Sequence, residues 1–248
     1  MHDRLVEKVS INKEIGGHSS VWARRAQIEG CKTYLSPYPS SFNKERLVFD
    51  ESKRDLLVIA EDKDVSTRDD LDRPKFQDIH LVFEYMKGDD ILGFVAPRSN
   101  RFYFVHDPNG SSFQQLESYH SSLLETEPDQ RPYRHLFGGF QLMQKHEYSY
   151  AEERLAKMAN QWFEMRQEVG PEGQRHMVHV EFGHYSDLEH FKLFEKYAVR
   201  NADSLGMNEV EMQNLLDFWS DKLTDINEES NSSPSLATVL ELTDGLFK

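Results

Sequence analysis

The sequence predicts an α/β protein, with a layered α/β/α domain and a smaller β-rich unit. Two observations lead to this fold class. From residue 111 onward, helical stripes of apolar residues alternate with short strand-like runs, which is typical of a mainly parallel sheet covered by helices. Residues 76–106 instead contain successive strand patterns joined by short turns, which favours an antiparallel arrangement.

The composition is that of an ordinary soluble protein. The 248 residues include 29 Lys and Arg against 43 Asp and Glu, which gives a formal charge of −14. This acidic balance argues against non-specific binding to nucleic acid or to an anionic membrane. The longest apolar run, residues 56–60, is too short to span a bilayer, and no targeting signal is visible. The single cysteine, Cys31, excludes an internal disulfide.

Residues 1–50 contain one clear helix pattern. A turn at residues 16–18 leads into an amphipathic stretch, and Gly30 is placed to end the helix at its C′ position. Residues 32–35 read as a short strand. The charge run at 61–75 is interpreted as a solvated loop, since runs of this kind are usually hydrated.

Three strand patterns follow, at Ile79–Met86, Ile91–Val95 and Arg101–His106. The turns between them are short, so we expect an antiparallel meander closed by the turn signal at 107–110.

After residue 111 the pattern alternates between helix and strand. Apolar stripes at helical spacing are formed by Phe113, Leu116, Tyr119 and Leu123, by Leu155, Met158, Trp162 and Met165, and by Leu188, Phe191, Phe194 and Tyr197. Strands are predicted at Leu136–Met143, Met177–Phe182 and Ala202–Leu205, and a last helix at Asn208–Leu223. We interpret the aromatic and Met stripes as core.

His179 and Glu181 are the first candidates for chemistry. They flank Val180 in a predicted strand, so alternation places both on one face, near the carboxyl end where α/β sheets bind ligands. An imidazole and a carboxylate there could hold a metal, directly or through water. The alternative is a buried histidine paired with a glutamate.

Asn208 and Glu211 lie at the start of the last predicted helix. At this spacing they form a variant of the capping box, with Asn as N-cap and Glu at N3. The functional alternative is that their oxygens orient a hydrated Mg²⁺ near a phosphate at the helix entrance.

Gly16, Gly17 and His18 precede the first helix. Glycines there most simply form a tight turn before a helix; the functional alternative is that they let backbone amides approach a ligand hydroxyl or anion.

Four further polar side chains come from the strand-rich region. His80 and Glu84 share one strand face, where a histidine is also commonly a satisfied core residue. Arg98 and Arg101 are the best-placed cations for a phosphate, with a solvated arginine as the alternative.

Taken in order, these segments resemble the ADP-dependent glucokinases of the ribokinase-like superfamily. The resemblance runs from about Gly16 to Trp219. Its strongest stretches are His80-Leu81-Val82-Phe83-Glu84-Tyr85, Ala96-Pro97-Arg98-Ser99-Asn100-Arg101-Phe102, His179-Val180-Glu181-Phe182 and Asp203-Ser204-Leu205-Gly206-Met207-Asn208-Glu209-Val210-Glu211.

The resemblance implies a role for each candidate. Residues implied in organising Mg²⁺ around the nucleotide phosphates are His179, Glu181, Asn208 and Glu211. Residues implied in binding the sugar are Gly16, Gly17, His18, His80 and Glu84. Residues implied in contacting the nucleotide phosphate are Arg101 and Asn208. The implied reaction is transfer of the β-phosphoryl group of ADP to the 6-hydroxyl of glucose with Mg²⁺, a step of glycolysis.

The sequence also departs from the family pattern. The family places Asn or Gln where this chain has His18, and its Ser-Gly-Leu-Gln/His segment appears here as residues 138–141. No Gly-x-Gly-Asp is present, the motif whose Asp acts as general base, so we assign no catalytic residue. We therefore expect a middle portion of the family's length.

The expected organisation follows from this resemblance. Residues 1–60 and 111–248 belong to a ribokinase-like α/β domain that lacks its carboxyl-terminal part, and residues 61–110 form lid strands with a connecting loop. The expected partners are glucose and ADP, for a monomer in the cytoplasm or the endoplasmic reticulum. The alternatives are an ADP-dependent phosphofructokinase, or an inactive kinase-like fragment that serves as an interaction or regulatory protein.

Overall fold

The computed structural model describes residues 18–35, 57–59, 79–91, 93–106, 110–113, 115–170 and 173–220. The glycines of the 16–18 turn and the charge run at 61–75 lie outside the described residues.

The described chain contains five α-helices and nine strands. The helices are α1 His18–Ile28, α2 Gln115–Glu125, α3 Tyr148–Gln167, α4 Leu188–Tyr197 and α5 Glu209–Trp219. The strands are β1 Thr33–Leu35, β2 Leu57–Ile59, β3 Ile79–Tyr85, β4 Asp90–Ile91, β5 Phe94–Val95, β6 Asn100–His106, β7 Arg134–Phe137, β8 Met177–Glu181 and β9 Ser204–Gly206. No helix in the described ranges is long and apolar enough to cross a membrane.

A three-stranded parallel sheet organises the second half of the chain. Its strand order is β7-β8-β9. β1 and β2 also pair in parallel, as a separate two-stranded sheet. Parallel neighbours need a crossover between them, usually a helix, and α3 and α4 supply it here. The predicted parallel sheet with covering helices is confirmed.

The core packs on one side of β8. Val178 and Val180 are fully buried, whereas His179 and Glu181 between and beyond them are half-buried. Helices α3 and α4 cover the valines with the predicted stripes, whose buried members are Leu155, Met158, Trp162, Met165, Phe191 and Phe194. Burying each of these side chains stabilises the fold by roughly 1.5–3 kcal/mol. The core interpretation of the stripes is confirmed.

A polar chain is buried at the amino ends of β7 and β8. Tyr119 Oη lies 2.9 Å from His135 Nδ1, and His135 Nε2 lies 2.7 Å from His176 Nδ1. Burial lowers the pKa of His135 to about 3, helped by its imidazole neighbour and by Arg134 and Arg166. Burial also lowers the pKa of His176. Both imidazoles are therefore neutral in the folded protein at neutral pH.

The neutral, buried state of His135 predicts that the protein loses stability in mild acid. An unfolded histidine binds a proton below about pH 6.5, whereas folded His135 resists protonation until about pH 3, so acid favours the unfolded chain. We expect the free energy of unfolding to fall by about 1–2 kcal/mol from this residue between pH 7 and pH 5. Urea titrations at both pH values measure the change. The variant His135→Leu should have a lower free energy of unfolding at pH 7, but that free energy should change less between pH 7 and pH 5. An equal pH dependence in the two proteins would contradict the role given to His135.

Strands β3 and β6 form an antiparallel pair that differs from the predicted meander. Ile91–Val95 is not one strand, because β4 and β5 fold back on each other as a small hairpin. Gly93 adopts a positive φ of 90°, and its N–H donates to Asp90 Oδ1 at 2.6 Å. This local turn ends the strand, so β3 pairs directly with β6.

The strand predicted at Leu136–Met143 is also shorter than expected. β7 ends at Phe137, and Phe140–Lys145 forms a 3₁₀ helix. Gly139 lies between them with a φ of 89°, in the left-handed region that breaks an extended strand. The apolar run continues through the break because Phe140 and Met143 enter the same core from a helical turn.

Candidate functional site

The site is built at the carboxyl ends of β8 and β9. The register places His179 opposite Ser204 and Glu181 opposite Gly206. His179 Nδ1 lies 2.9 Å from Ser204 Oγ, and the Trp22 ring of α1 lies edge-on to the imidazole at 6.3 Å between centroids. Strand pairing and a helix therefore both fix the orientation of this imidazole.

Glu181 completes the cluster at the same edge. Its Oε2 lies 3.4 Å from His179 Nε2. The carboxylate occupies the space above Gly206, because a Cβ built on that glycine would lie 2.0 Å from Glu181 Oε2 and 3.0 Å from His179 Nε2. Only a residue without a side chain leaves room for this arrangement. The predicted pairing of His179 with Glu181 on one strand face is what the structure contains.

Asn208 and Glu211 form the predicted capping box at the start of α5. Asn208 Oδ1 accepts from the N–H groups of Val210 and Glu211, at 3.0 and 2.9 Å. Glu211 Oε2 in turn accepts from the Asn208 N–H at 2.9 Å. The structural interpretation of this pair is thus confirmed, and the metal interpretation stays a prediction.

Magnesium prefers oxygen ligands and keeps several of its waters when bound to protein. In the described ranges, no group of three or more His, Cys, Asp or Glu side chains lies close enough to hold an ion directly. Glu181 and Glu211 supply carboxylate oxygens at the ends of neighbouring elements, which fits contact with a hydrated ion through its waters. The donor chemistry therefore fits hydrated Mg²⁺, and the role of each residue pair in holding it stays a prediction.

The second group of predicted residues lies on the β3–β6 pair. Glu84 faces Arg101 across the β3–β6 pair, with Arg101 Nε 2.5 Å from Glu84 Oε1. A hydrogen bond with Tyr103 and the charge of Glu84 raise the pKa of Arg101. Both charged side chains are more than half exposed, so this ion pair adds little stability and its groups remain accessible to a ligand.

The remaining predicted residues are only partly described. His80 pairs with Val105 in the β3–β6 register, and His18 begins α1, but their side chains lie outside the described part of the chain. Gly16 and Gly17 lie outside it altogether. Arg98 sits at an exposed turn before β6. The sugar-binding roles implied for these residues stay predictions.

Ser204, Gly206 and Trp22 were missed by the sequence reasoning. A signal for the first two exists, because Leu205 between them is the inward residue of a short strand, which turns its neighbours to the opposite face. Trp22 carries no comparable signal, since its neighbours in α1 do not reveal which strand the helix covers.

Comparison with known proteins identifies the family. The family model described as the ADP-specific phosphofructokinase/glucokinase conserved region matches residues 1–248. The curated ADP-dependent glucokinase of Bos taurus is 29% identical over 136 residues, which are 54% of this chain and 25% of that protein.

Two solved structures share the fold. One is an ADP-dependent kinase in complex with fructose-6-phosphate and ADPβS, with a TM-score of 0.59 and 18% identity, covering 98% of this chain and 53% of that one. The other is a hypothetical ADP-dependent phosphofructokinase from Pyrococcus horikoshii, with a TM-score of 0.56 and 15% identity, covering 99% of this chain and 55% of that one. This chain thus spans about half the length of the solved relatives.

The two solved structures show that the fold is that of the ribokinase-like ADP-dependent kinases, as the sequence predicted. The chain belongs to the ADP-specific phosphofructokinase/glucokinase family, whose members are ADP-dependent sugar kinases.

Proposed function

We propose that this chain is part of a monomeric ADP-dependent glucokinase. The reaction transfers the β-phosphoryl group of ADP to the 6-hydroxyl of glucose and yields glucose 6-phosphate and AMP. The observation that carries the choice of sugar is the bovine relative, an ADP-dependent glucokinase that is 29% identical over more than half of this chain. The solved ADP-dependent kinase that holds fructose-6-phosphate and the hypothetical phosphofructokinase are less similar in sequence, at 18% and 15% identity.

The arrangement of the residues supports separate roles for the β8–α5 group and the β3–β6 pair. His179 and Glu181 at the end of β8, with Asn208 and Glu211 at the start of α5, would hold the waters of a hydrated Mg²⁺. Bound Mg²⁺ supplies positive charge that neutralises the phosphates of the nucleotide. Ser204 holds the imidazole of His179 in one orientation through the 2.9 Å contact at Nδ1.

In this proposal, residues 61–110 form a lid that includes the β3–β6 pair. The lid lies over a ribokinase-like domain formed by residues 1–60 and 111–248. Glu84 accepts hydrogen bonds from sugar hydroxyls, and Arg101 beside it binds a phosphate of the nucleotide. Gly16, Gly17, His18 and His80 complete the sugar contacts in this proposal. A closed lid excludes water, so that the phosphoryl group goes to the sugar and not to solvent.

A phosphofructokinase is the second candidate, and one observation favours it. One solved relative holds fructose-6-phosphate, whose phosphate needs a cation, and Arg101 lies on the β3–β6 pair, which this proposal places over the sugar. The adjacent Glu84 carboxylate argues against a phosphofructokinase, because its negative charge repels the phosphate of the sugar. The same carboxylate can accept hydrogen bonds from neutral hydroxyls.

The deciding experiment compares both sugars in the full-length protein. A coupled assay measures kcat/KM for glucose and for fructose 6-phosphate, each with ADP and with ATP. A glucokinase gives the higher kcat/KM with glucose and ADP. A preference for fructose 6-phosphate would replace the proposal with the second candidate, and no turnover with either sugar would favour the inactive interaction protein.

The metal role of Glu211 predicts a separate result. In the full-length protein, Glu211→Gln should raise the Mg²⁺ concentration needed for half-maximal turnover several-fold, because the charge that attracts the hydrated ion is gone. Thermal stability should hardly change, since Gln also serves at N3 of a capping box. Glu209→Gln is the matched control, as Glu209 is an exposed neighbour in the same helical turn. An unchanged Mg²⁺ dependence in Glu211→Gln would leave the residue with its capping role alone.

A further inference from the structure

Asp203 and Arg166 join the start of β9 to α3 and to β8. Asp203 lies one residue before β9, and its Oδ2 accepts from the Val178 N–H at 2.7 Å and from Arg166 Nη2 at 2.8 Å. In the opposite direction, the Asp203 N–H donates to the Val178 carbonyl at 2.8 Å. Arg166 lies in the last turn of α3 and also donates to the Asn201 carbonyl. One ion pair therefore connects a helix and a strand to the segment that enters β9.

The strand that follows this ion pair is short. β9 contains three residues, and among the strands that the structure describes it pairs with β8 alone. At the far end of this pairing, the Phe182 N–H donates to the Gly206 carbonyl at 2.8 Å. So short a strand has few ladder hydrogen bonds to specify its register. Charge-assisted hydrogen bonds are roughly twice as strong as neutral ones, so the bonds of Asp203 add a large share of that specification.

The register of β9 decides what surrounds the two candidate metal residues of β8. Ser204 lies opposite His179, and Gly206 lies opposite Glu181. A slip of one residue would turn Leu205 to their face of the sheet. Leu205 would then bring a side chain to the space beside Glu181, where even a Cβ on Gly206 would lie 2.0 Å from Oε2. The Ser204 hydroxyl would also leave His179 Nδ1.

We propose that Asp203 and Arg166 are a positioning pair, which fixes the register of β9 on β8. Through that register the pair orients His179 and Glu181 for hydrated Mg²⁺. The role in metal binding rests on the proposed function, whereas the role in register rests on the contacts of the pair itself. Neither Asp203 nor Arg166 touches the ion, since both act through β9.

Amide hydrogen exchange in the full-length protein tests the register directly. Asp203→Ala should speed exchange of the Val178 N–H, which loses its acceptor. The same variant should speed exchange of the Phe182 N–H by about tenfold or more. The Phe182 N–H lies at the other end of the pairing, so its exchange rises only if the whole strand loses its register. A change confined to Val178 would show a local role for Asp203 and would overturn the proposal.

Mn²⁺ affinity, followed by electron paramagnetic resonance in the same protein, tests the consequence for the metal site. Asp203→Ala should weaken Mn²⁺ binding by about 10–100-fold, the range typical of residues that orient a metal ligand. The double variant with Gly206→Ala should bind Mn²⁺ about as weakly as the weaker single variant, because both changes displace the Glu181 carboxylate. Losses that multiply would mean that the two residues act independently, which would overturn the mechanism through β9.

Glu168→Ala is the matched control. Glu168 Oε2 lies 2.6 Å from Arg131 Nη1 at the same end of α3, and this ion pair is partly buried like that of Asp203. Arg131 also donates to two carbonyls at the end of α2, so the control pair joins α3 to α2. Glu168→Ala should lower the melting temperature to a similar extent but leave Phe182 exchange and Mn²⁺ affinity unchanged. Equal effects of the two variants on both measurements would leave Asp203 with a role in general stability alone.

Asp203→Asn keeps the test decisive if Asp203→Ala misfolds, which circular dichroism would reveal. Asparagine keeps an oxygen for the Val178 N–H but loses the charge that pairs with Arg166, so its effects should be smaller and in the same direction. The register role and the metal role can fail separately. Faster Phe182 exchange without Mn²⁺ binding by the unaltered protein would support the positioning of β9 and contradict the metal role in the proposed function.

Discussion

The 248-residue chain by itself should show no measurable phosphorylation of glucose with ADP or ATP. The sequence contains no Gly-x-Gly-Asp, so it lacks the aspartate that the family resemblance implies as general base. General-base catalysis is worth about 10²–10⁴-fold, and removing a backbone or side-chain donor to the transferring group costs about 10²–10³-fold more. A coupled assay with purified chain, glucose, Mg²⁺ and each nucleotide measures the expected loss, with the bovine glucokinase as the positive control.

Two aspartates near the site are candidate substitutes, and both already make hydrogen bonds within the protein. Asp203 Oδ2 accepts from the Val178 N–H at 2.7 Å and from Arg166 at 2.8 Å. Burial alone would raise the pKa of Asp203, but these hydrogen bonds and the charge of Arg166 lower it overall. Asp187 caps α4 and bonds His190. Robust turnover by the chain alone would contradict the prediction and require one of these carboxylates to act as the base.

Replacing Gly206 with Ala should separate metal binding from stability. The new Cβ would lie 2.0 Å from Glu181 Oε2, so the carboxylate must leave its place beside His179. Because the displaced group is the end of a flexible side chain, the melting temperature should change little. Losing the orientation of a group that supports a metal typically weakens affinity 10–100-fold. Mn²⁺ binding, followed by its electron paramagnetic resonance signal, measures this loss in the chain itself.

Gly183→Ala is the control for this experiment. Its Cβ would lie 2.3 Å from the side-chain end of Gln141, also at the carboxyl edge of β8, but away from Glu181. The control should keep Mn²⁺ affinity while making a comparable change in packing. Equal Mn²⁺ binding in Gly206→Ala, Gly183→Ala and the unaltered chain would remove Glu181 from the metal site.

The local sequence pattern was sufficient to predict many of the secondary-structure elements of this protein. Helical spacing of apolar residues predicted the buried stripes of α3 and α4, because such residues recur on one face of a helix whatever that face contacts. The capping box of Asn208 and Glu211 was also predictable, since both partners lie within one turn of chain. The order of short motifs along the chain indicated the family, although each motif alone is common.

The strand boundaries depended on backbone geometry that composition does not reveal. Gly93 and Gly139 end predicted strands because both adopt a positive φ, while the apolar run around each continues. A run of apolar residues records that its side chains are buried, but not whether an extended chain or a tight turn buries them.

Only the tertiary structure determined which residues meet at the candidate site. Ser204 reaches His179, and Gly206 makes room for Glu181, because β9 pairs with β8 in a register that joins residues 25 positions apart in the chain. A shift of that register by one residue would turn Ser204 and Gly206 to the opposite face. The sequence by itself therefore determined the helices, their buried faces and the family, since these follow from local periodicity and motif order. The contacts that orient His179 and Glu181 arise from packing between distant segments, which local periodicity does not encode.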